Sequence, residues 1–259
     1  MTSPVVFITG AASGIGLATA RMLAAAENDL VLMDLHGEDL AELAHELSSS
    51  CRVTAVSVGG DVSDEADMDQ AVHAITSNWG RLDAVVVNAG INGVWAPIDD
   101  LTPEEWDRTI RINLRGTYMT INRTVPLLKK SGGGAIVVVA SINGVRTFTN
   151  PGATAYSASK AAQVAMVQQL ALELGRHGIR INVVCPGAID TNIASSSQIR
   201  HREQTEIPVV WPEGSVPITG GEPGRAEDVA RIIGFLLSDA SAHMTGSPVF
   251  VDGGQGLLR

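Results

Sequence analysis

The chemistry that this sequence can perform centres on one tyrosine and one lysine. Tyr156 and Lys160 are four residues apart, so on a helix they share one face. An unperturbed tyrosine has a pKa of about 10 and is a poor base at neutral pH, but a nearby ammonium group stabilises its phenolate. Ser141 follows a predicted buried strand and could hold a substrate oxygen while Tyr156 exchanges the proton. An isolated pair of this kind is usually a surface helix pair, so the interpretation depends on the rest of the chain.

A glycine-rich turn near the start of the chain predicts a site for a dinucleotide. The run Thr-Gly-Ala-Ala-Ser-Gly-Ile-Gly over residues 9–16 joins a predicted strand to a predicted helix. Glycines let such a turn bring its N–H groups against a pyrophosphate at the positive end of the helix. Asp34 ends the next strand, where a carboxylate can accept both adenosine-ribose hydroxyls and repel the 2′-phosphate of NADP. The adjacent residues 11–13 and 35–38 include no arginine or lysine, so the sequence favours NAD.

Short β-branched runs alternate with longer segments rich in alanine and leucine. The apolar runs predict strands over residues 4–9, 29–34, 52–58, 83–87, 135–140, 179–184 and 248–251. The segments with helical spacing predict helices over residues 14–26, 37–49, 64–79, 103–129, 154–176 and 225–237. Parallel strands need crossover helices, so this alternation predicts an α/β fold with a doubly wound, mostly parallel sheet in a single domain spanning 1–259. Residues 192–222 break the alternation, as substrate-binding loops do.

Composition and charge exclude several classes of protein. The 18 basic and 28 acidic residues give a net charge of −10, which argues against a nucleic-acid-binding surface. No apolar stretch approaches the roughly 20 residues needed to cross a bilayer, and the first residues lack the basic segment of a signal peptide. Cys51 and Cys185 are too few for a disulfide framework. We therefore expect a cytoplasmic globular protein without a membrane or nucleic-acid partner.

Taken together, the motifs resemble the short-chain dehydrogenase/reductase family over essentially the whole chain. The glycine turn matches the family's cofactor turn, and two later segments, Asp61-Val62 and Asn88-Ala89-Gly90, match further cofactor elements. The active-site Asn, Ser, Tyr and Lys of the family fall on Asn113, Ser141, Tyr156 and Lys160. The family's Pro-Gly turn after the sixth strand, with a threonine slightly later, falls on Pro186, Gly187 and Thr191.

The resemblance implies a Rossmann-type sheet of seven strands with NAD across its topological switch point. Tyr156 would be the general acid/base, Lys160 would bind the nicotinamide ribose and lower the tyrosine pKa, and Ser141 would orient the carbonyl. Asn113 would anchor a water in a proton relay. The carboxamide would be held by the backbone of Ile189 and the hydroxyl of Thr191. No metal is implied. The cofactor-binding residues implied are Gly10, Ser13, Gly14, Ile15, Gly16, Asp34, Asp61, Val62, Asn88, Ala89, Gly90, Tyr156, Lys160, Pro186, Gly187, Ile189 and Thr191.

Several other residues have ordinary explanations beside functional ones. The six histidines are scattered without ligand spacing, and Cys185 is typical of a small buried hydrophobe. Four apolar side chains could line the substrate pocket or serve in packing: Trp95, Phe148, Ile193 and Trp211. The alanine-rich face within 158–165 allows close helix approach. In this family the corresponding helix and the long one before it usually form a dimer interface, often within a tetramer, so we expect a homo-oligomer.

Three functions remain open at this point. The first is an NAD-dependent oxidoreductase that interconverts a secondary alcohol and a ketone by hydride transfer, with a small-molecule substrate. The second is a reductase of 3-oxoacyl thioesters on an acyl carrier protein, which resembles this chain in general sequence; Asp34 counts against it, because those enzymes usually take NADPH. The third is a non-catalytic regulatory protein that keeps NAD binding. The intact set of four active-site residues counts against it.

Overall fold

The computed structural model describes residues 3–206 and 214–258, which fold around one large parallel sheet. The strands are β1 Val5–Thr9, β2 Asp29–Asp34, β3 Ala55–Gly59, β4 Ala84–Val87, β5 Gly93–Trp95, β6 Gly134–Val139, β7 Ile179–Pro186, β8 Ile189–Asp190, β9 Ser197–Ile199, β10 Gly224–Arg225 and β11 Pro248–Val251. The α-helices are α1 Gly14–Ala25, α2 Gly37–Ser50, α3 Glu65–Asn78, α4 Pro103–Ile110, α5 Gly116–Lys130, α6 Thr154–Gly175, α7 Arg202–Thr205 and α8 Ala226–Leu237.

Seven strands form the main sheet, in the order β3-β2-β1-β4-β6-β7-β11. All of its strand pairs are parallel, which confirms the predicted doubly wound fold. The chain order reverses between β1 and β4, so the crevice at the carboxyl ends of these two strands is the topological switch point. Open α/β sheets bind their ligands at such a crevice.

Both faces of the sheet are covered, as the continuous apolar runs predicted. One face packs against α3, α5 and α6 through buried side chains such as Met68, Met119 and Val167. The other face packs against α1, α2 and α8 through side chains such as Leu40 and Ile233. Because strand side chains alternate between these two layers, each strand of the sheet is fixed in position on both sides.

The structure differs from the predicted elements mainly in four places. The predicted helix over 103–129 is interrupted by a π-helical turn, Arg111–Arg115, between α4 and α5. The strand predicted over 52–58 begins only at Ala55, and the apolar run of β7 extends to Pro186. Residues 192–222, predicted as an irregular insertion, include the short elements β9 and α7. Short segments of this kind lack the periodicity on which prediction depends.

Two parallel strand pairs outside the main sheet, β5 with β9 and β8 with β10, attach this region to the edge of the sheet.

Thr102 begins α4 as its N-cap in a capping box with Glu105, as its position before Pro103 predicted. Across the described ranges, no helix is long and apolar enough to span a membrane.

Candidate active site

The glycine turn between β1 and α1 is packed so tightly that side chains would not fit. A Cβ on Gly16 would overlap the carbonyl oxygen of Gly10, and a Cβ on Gly10 would lie 2.8 Å from the Cα of Ala89. The side-chain amide of Asn88 donates hydrogen bonds to the carbonyl oxygens of Thr9, at 3.1 Å, and Gly10, at 2.9 Å. Asn88 thus fixes the turn to the end of β4.

The same turn leaves the N-terminus of α1 open to an anion. Ser13 is the N-cap residue, and its side chain makes no capping hydrogen bond. A Cβ on Gly14 would lie 3.2 Å from the side chain of Thr191, so the segment after β7 closes over the turn. Backbone N–H groups at a helix N-terminus and a glycine cradle suit a pyrophosphate, so these residues fit the dinucleotide that the sequence predicted. Ile15, within the first turn of α1, packs against the apolar core instead.

Asp34 lies at the carboxyl end of β2 beside this turn. One of its carboxylate oxygens accepts a hydrogen bond from the backbone N–H of Ala12 at 3.0 Å, and the other accepts one from that of His36 at 3.2 Å. Within the described ranges, no basic side chain forms an ion pair with Asp34. The carboxylate is therefore held in place by the backbone, with its charge uncompensated by any cation.

Asp61 and Val62 follow β3 and are held by α5 and by the π-helical turn. The Asp61 carboxylate accepts hydrogen bonds from the Ser63 hydroxyl at 2.7 Å and from Arg111 at 3.1 Å. Burial opposes ionisation of this carboxyl, but the hydrogen bonds from Ser63 and Arg111 outweigh it and lower the pKa of Asp61. Val62 is buried, and a Cβ on Gly116 would lie 2.6 Å from its side chain. These contacts fix the path of the chain leaving β3.

Tyr156 is buried in the first turn of α6, with Ser141 and Trp95 beside it. Its ring centroid lies 6.3 Å from that of Trp95, and its phenol shares a hydrogen bond with the Ser141 side chain. Burial raises the pKa of Tyr156, and the hydrogen bond with Ser141 opposes that increase only in part. Because its pKa is raised, the phenol is protonated at neutral pH. A positive charge nearby would favour its ionisation.

Lys160 provides such a charge. Its ammonium Nζ lies 5.6 Å from the centroid of the Tyr156 ring and donates a hydrogen bond to the carbonyl oxygen of Val139 at 3.0 Å. Burial lowers the pKa of Lys160 to about 8, so the group is still mostly charged at neutral pH. Cys185 lies on β7 nearby, and burial raises the pKa of its thiol to about 11. Cys185 is therefore a neutral core residue, as predicted.

Asn113 lies in the π-helical turn and is fully buried. Its side-chain amide donates to the carbonyl oxygen of Ile91, at 2.9 Å, and to the Ser159 hydroxyl, at 3.1 Å, and its Oδ1 accepts from the N–H of Ile91, at 2.8 Å. A Cβ on Gly90 would lie 3.2 Å from the Asn113 Oδ1 and 3.5 Å from the Lys160 Nζ. The structure thus brings Asn113 and Lys160 together behind Tyr156.

The segment after β7 completes the crevice. Gly187 has no room for a side chain, since a Cβ there would lie 2.8 Å from that of Asp252, and its N–H donates to the carbonyl oxygen of Val251. Pro186 is buried at the end of β7, and Ile189 is paired in β8 with β10. All of the predicted catalytic and cofactor residues therefore lie along the carboxyl edge of the sheet.

Strand β9 is attached to the rest of the protein through Arg200, the residue that follows it. The Arg200 guanidinium donates hydrogen bonds to the carboxylates of Glu105, at 2.9 Å, and Asp100, at 3.1 Å. The backbone N–H of Arg200 donates to the carbonyl oxygen of Trp95 at 2.9 Å. The Asn92 side chain donates to the Ser197 hydroxyl at 2.8 Å. Strand β9 is thereby held against the element that carries Trp95.

The predicted pocket residues are not equivalent. Trp95 lies beside Tyr156, whereas Phe148 is 69% exposed and Ile193 is 39% exposed. Trp211 lies outside the described residues. The exposure of these two side chains rules out packing in the core, and they remain candidates for contact with a substrate.

Sequence reasoning missed two residues of this region, Gln163 and Arg200. Gln163 is a buried polar residue on the face of α6 that also carries Lys160. A glutamine among apolar residues, three positions after Lys160, is a signal that could have been used. Arg200 offered no signal, because its acidic partners Asp100 and Glu105 are far from it in sequence.

A phenol next to a serine hydroxyl, an ammonium group behind it and a cradle for a dinucleotide together define a nicotinamide-dependent oxidoreductase. Comparisons with known proteins agree. The family described as enoyl-(acyl carrier protein) reductase matches residues 10–255. A levodione reductase from Leifsonia aquatica is 36% identical over 98% of this chain and 94% of its own length. A cyclohexanol dehydrogenase from an Acinetobacter strain is 35% identical over 96% of this chain and 93% of its own.

Solved structures are also similar. A 3-ketoacyl-ACP reductase from Sinorhizobium meliloti 1021 is 60% identical, with a TM-score of 0.95 over 99% of this chain and 100% of that one. A 3-ketoacyl-(acyl-carrier-protein) reductase from Brucella melitensis, complexed with NADH, is 31% identical, with a TM-score of 0.84 over 98% of both chains. This chain belongs to the short-chain dehydrogenase/reductase family. It is an oxidoreductase that acts on CH–OH groups with a nicotinamide cofactor.

Proposed function

We propose that this protein is an NAD-dependent dehydrogenase/reductase for a small secondary alcohol and its ketone, with Tyr156 as the general acid/base. The observation that carries the proposal is the placement of the Tyr156 phenol between the Ser141 hydroxyl and the Lys160 ammonium. A general acid or base needs a tuned pKa and a partner that holds the reacting oxygen. These two neighbours supply both.

Each of the four proposed catalytic residues has a separate role. The Ser141 hydroxyl orients the substrate oxygen against the phenol, and Tyr156 takes the proton of the alcohol or returns it to the ketone. Lys160 stabilises the phenolate through its charge and binds the nicotinamide ribose. Asn113 holds the π-helical turn against Ile91 and so positions the segment facing Lys160. When bound, the nicotinamide accepts or donates the hydride.

The cofactor would be held along the carboxyl edge of the sheet. The turn residues Gly10, Ser13, Gly14 and Gly16, together with the backbone of Ile15, would enclose the pyrophosphate, and Asp34 would bind the adenosine ribose. The uncompensated charge of Asp34 supports NAD over NADP, because the 2′-phosphate of NADP would be placed against a carboxylate. The remaining contacts would come from Asp61, Val62, Asn88, Ala89, Gly90, Pro186, Gly187, Ile189 and Thr191.

Residues 192–222, within the single domain formed by 1–259, would be the substrate-binding region. The half-exposed Ile193 and the indole of Trp95 give this crevice an apolar wall, which suits a cyclic or aliphatic alcohol. Similarity to a levodione reductase and to a cyclohexanol dehydrogenase supports the same class of substrate.

A second candidate is a reductase of 3-oxoacyl thioesters. The 60% identity to a structure titled 3-ketoacyl-ACP reductase favours it. Two observations oppose it: Asp34 disfavours the NADPH that such reductases usually take, and the net charge of −10 would repel an acidic carrier protein. A non-catalytic NAD-binding role is opposed by the way the four active-site residues are brought together.

We also expect a homo-oligomer in the cytoplasm. The outer face of α6 presents the small side chains of Ala158, Ala162 and Ala165 together with Leu172, which is 83% exposed. Such a face suits close packing against the same helix of a second copy. Size-exclusion chromatography with light scattering would measure the oligomeric state.

The experiment that tests the proposed function is an assay of NADH and NADPH formation. The purified enzyme would receive NAD⁺ or NADP⁺ with cyclic and aliphatic secondary alcohols, polyols and 3-hydroxyacyl thioesters. We expect turnover with NAD⁺ on a cyclic or aliphatic alcohol. Turnover confined to NADP⁺ and 3-hydroxyacyl thioesters would establish the second candidate instead.

A further inference from the structure

Gln163 lies on the buried face of α6, behind the catalytic residues, in a cluster of five buried polar side chains. The cluster consists of Asn113, Thr117, Ser159, Lys160 and Gln163, each less than 4% exposed. Only Asn113 and Lys160 have a role in the proposed function. Gln163 stands one helical turn from Lys160, so the two side chains leave α6 on the same face.

The amide nitrogen of Gln163 is fully used within the cluster. It donates to the main-chain carbonyl oxygen of Asn113 at 2.9 Å and to the Thr117 hydroxyl at 2.7 Å. The Thr117 hydroxyl donates its own proton to the same carbonyl at 2.7 Å. Both neighbours therefore accept from Gln163, which fixes the orientation of its amide.

Asn113 consequently has little capacity left for a water. Both lone pairs of its main-chain carbonyl are taken by Gln163 and Thr117, and both N–H groups of its side chain are taken by Ile91 and Ser159. The role that the family resemblance implies for Asn113, anchoring a water of a proton relay, falls on a residue that is already almost saturated.

Gln163 Oε1, by contrast, is a buried acceptor to which no described residue donates. A buried acceptor without a donor is costly, so such atoms normally bind an ordered water. The Lys160 ammonium has three donors, of which one is used by the carbonyl of Val139. Gln163, with an acceptor that has free capacity, and Lys160, with donors that have free capacity, are thus both buried on α6 about one helical turn apart.

We propose that Gln163 is a positioning residue that holds the π-helical turn through its N–H groups and, through Oε1, binds a buried water shared with the Lys160 ammonium. The water stabilises the charged form of Lys160 and hence its action on Tyr156. This proposal rests on the proposed role of Lys160. The two other titratable groups near Lys160, Tyr156 on α6 and Cys185 on β7, both have raised pKa values and stay neutral while Lys160 titrates.

The first test is a high-resolution crystal structure of the wild-type enzyme. We expect a water within hydrogen-bond distance of both Gln163 Oε1 and Lys160 Nζ. An Oε1 that contacts no water, or a water that reaches Oε1 but not Lys160, overturns the proposal. This test requires neither a variant nor a substrate.

The second test compares Gln163→Met with the matched variant Thr117→Val by the pH dependence of the free energy of unfolding. Gln163→Met removes Oε1, so the charged form of Lys160 loses its water. Its pKa should fall by about one unit, so that the rise of stability with pH begins about one pH unit lower. Thr117→Val removes a partner of the Asn113 carbonyl but keeps Oε1, and should follow the wild type. An equal shift in both variants, or no shift in Gln163→Met, overturns the proposal.

Because these measurements need no turnover, they remain decisive if the proposed reaction fails. Where turnover is found, Gln163→Met should also move the acidic limb of the kcat profile for alcohol oxidation to higher pH, since a less charged Lys160 stabilises the phenolate less. An unchanged limb, with a shifted stability curve, would show that the water does not act on catalysis.

Discussion

The two halves of the sheet edge are built in different ways. On the side of β1 and β2, the half that we propose binds the cofactor (the cofactor half) is made of backbone: glycines in close contact, an open helix N-terminus and a carboxylate held by main-chain N–H groups. On the side of β4, β6 and β7, the half that we propose for catalysis (the catalytic half) is made of buried side chains, among them Tyr156, Lys160 and Asn113. We therefore expect the cofactor half to recognise the shape of its ligand and the catalytic half to depend on the ionisation of its side chains.

The difference teaches that binding and catalysis should be separable in this enzyme. Backbone groups of the glycine turn do not change when a side chain of α6 is replaced. The pKa values of Tyr156 and Lys160, in turn, depend on burial and on neighbouring groups such as Ser141 and Cys185, so single substitutions there should alter chemistry strongly. Substitutions in each half can test this separation.

The largest effect is expected from Tyr156→Phe. The variant loses the proton that the phenol exchanges, so kcat should fall by about 10²- to 10⁴-fold while NAD binding persists. Measurement requires steady-state NADH formation and calorimetric titration with NAD⁺. Tyr118→Phe, at the other tyrosine, which is half exposed on α5, is the control and should be unchanged. Unchanged turnover in Tyr156→Phe would remove Tyr156 from the mechanism.

Lys160→Met tests ionisation in the catalytic half without a substrate. The pKa of Lys160 is about 8 in the folded protein, and its ordinary value is 10.5. Between pH 8 and pH 10.5 the unfolded state therefore binds more protons than the folded state. Wild-type stability should therefore rise with pH over this window, by an amount on the order of 1–3 kcal/mol. The variant should lack that rise, as measured by urea unfolding at each pH. Lys129→Met, on the exposed surface of α5, should retain it.

Asp34→Ala tests the cofactor half. Removing the carboxylate should weaken NAD binding and relax the rejection of NADP, reducing the ratio of kcat/KM for the two cofactors by roughly ten-fold or more. Glu42→Ala removes an equal charge from the exposed face of α2 and should leave the ratio unchanged. If the ratio for Asp34→Ala equals that of the wild type, the carboxylate is not the selector.

The smallest effect is expected from replacing Arg200, whose ion pairs hold the chain after β9 against the segment that includes Asp100 and Glu105. Arg200→Met removes partly exposed ion pairs to Asp100 and Glu105, so the KM for the alcohol should rise by no more than about five-fold, with kcat nearly constant. Arg202→Met removes an exposed pair with Glu206 in the neighbouring helix and should leave KM unchanged. A large loss of kcat in Arg200→Met would instead place this pair in the catalytic half.

Prediction from the sequence was best where local pattern decides structure. The seven strands of the main sheet follow from continuous apolar runs, and the glycine turn and Asp34 follow from residues close together in the chain. The π-helical turn at Arg111–Arg115 was not predicted, because the periodicity of apolar residues does not mark it. In the fold, its Asn113 carbonyl accepts a hydrogen bond from Gln163 on another helix. The short strands β5 and β9 were missed because they exist only as a pair.

The sequence by itself determined the residue types: a tyrosine and a lysine on one helical face, a serine after a strand, a glycine turn and an acid at the end of the next strand. These depend on spacing within single elements, which helix and strand geometry set directly. Only the tertiary structure decided how deeply Tyr156 and Lys160 are buried, which carbonyl Gln163 holds and which acids hold Arg200. Burial and contacts between distant segments arise from packing, and packing determines the pKa values on which the chemistry depends.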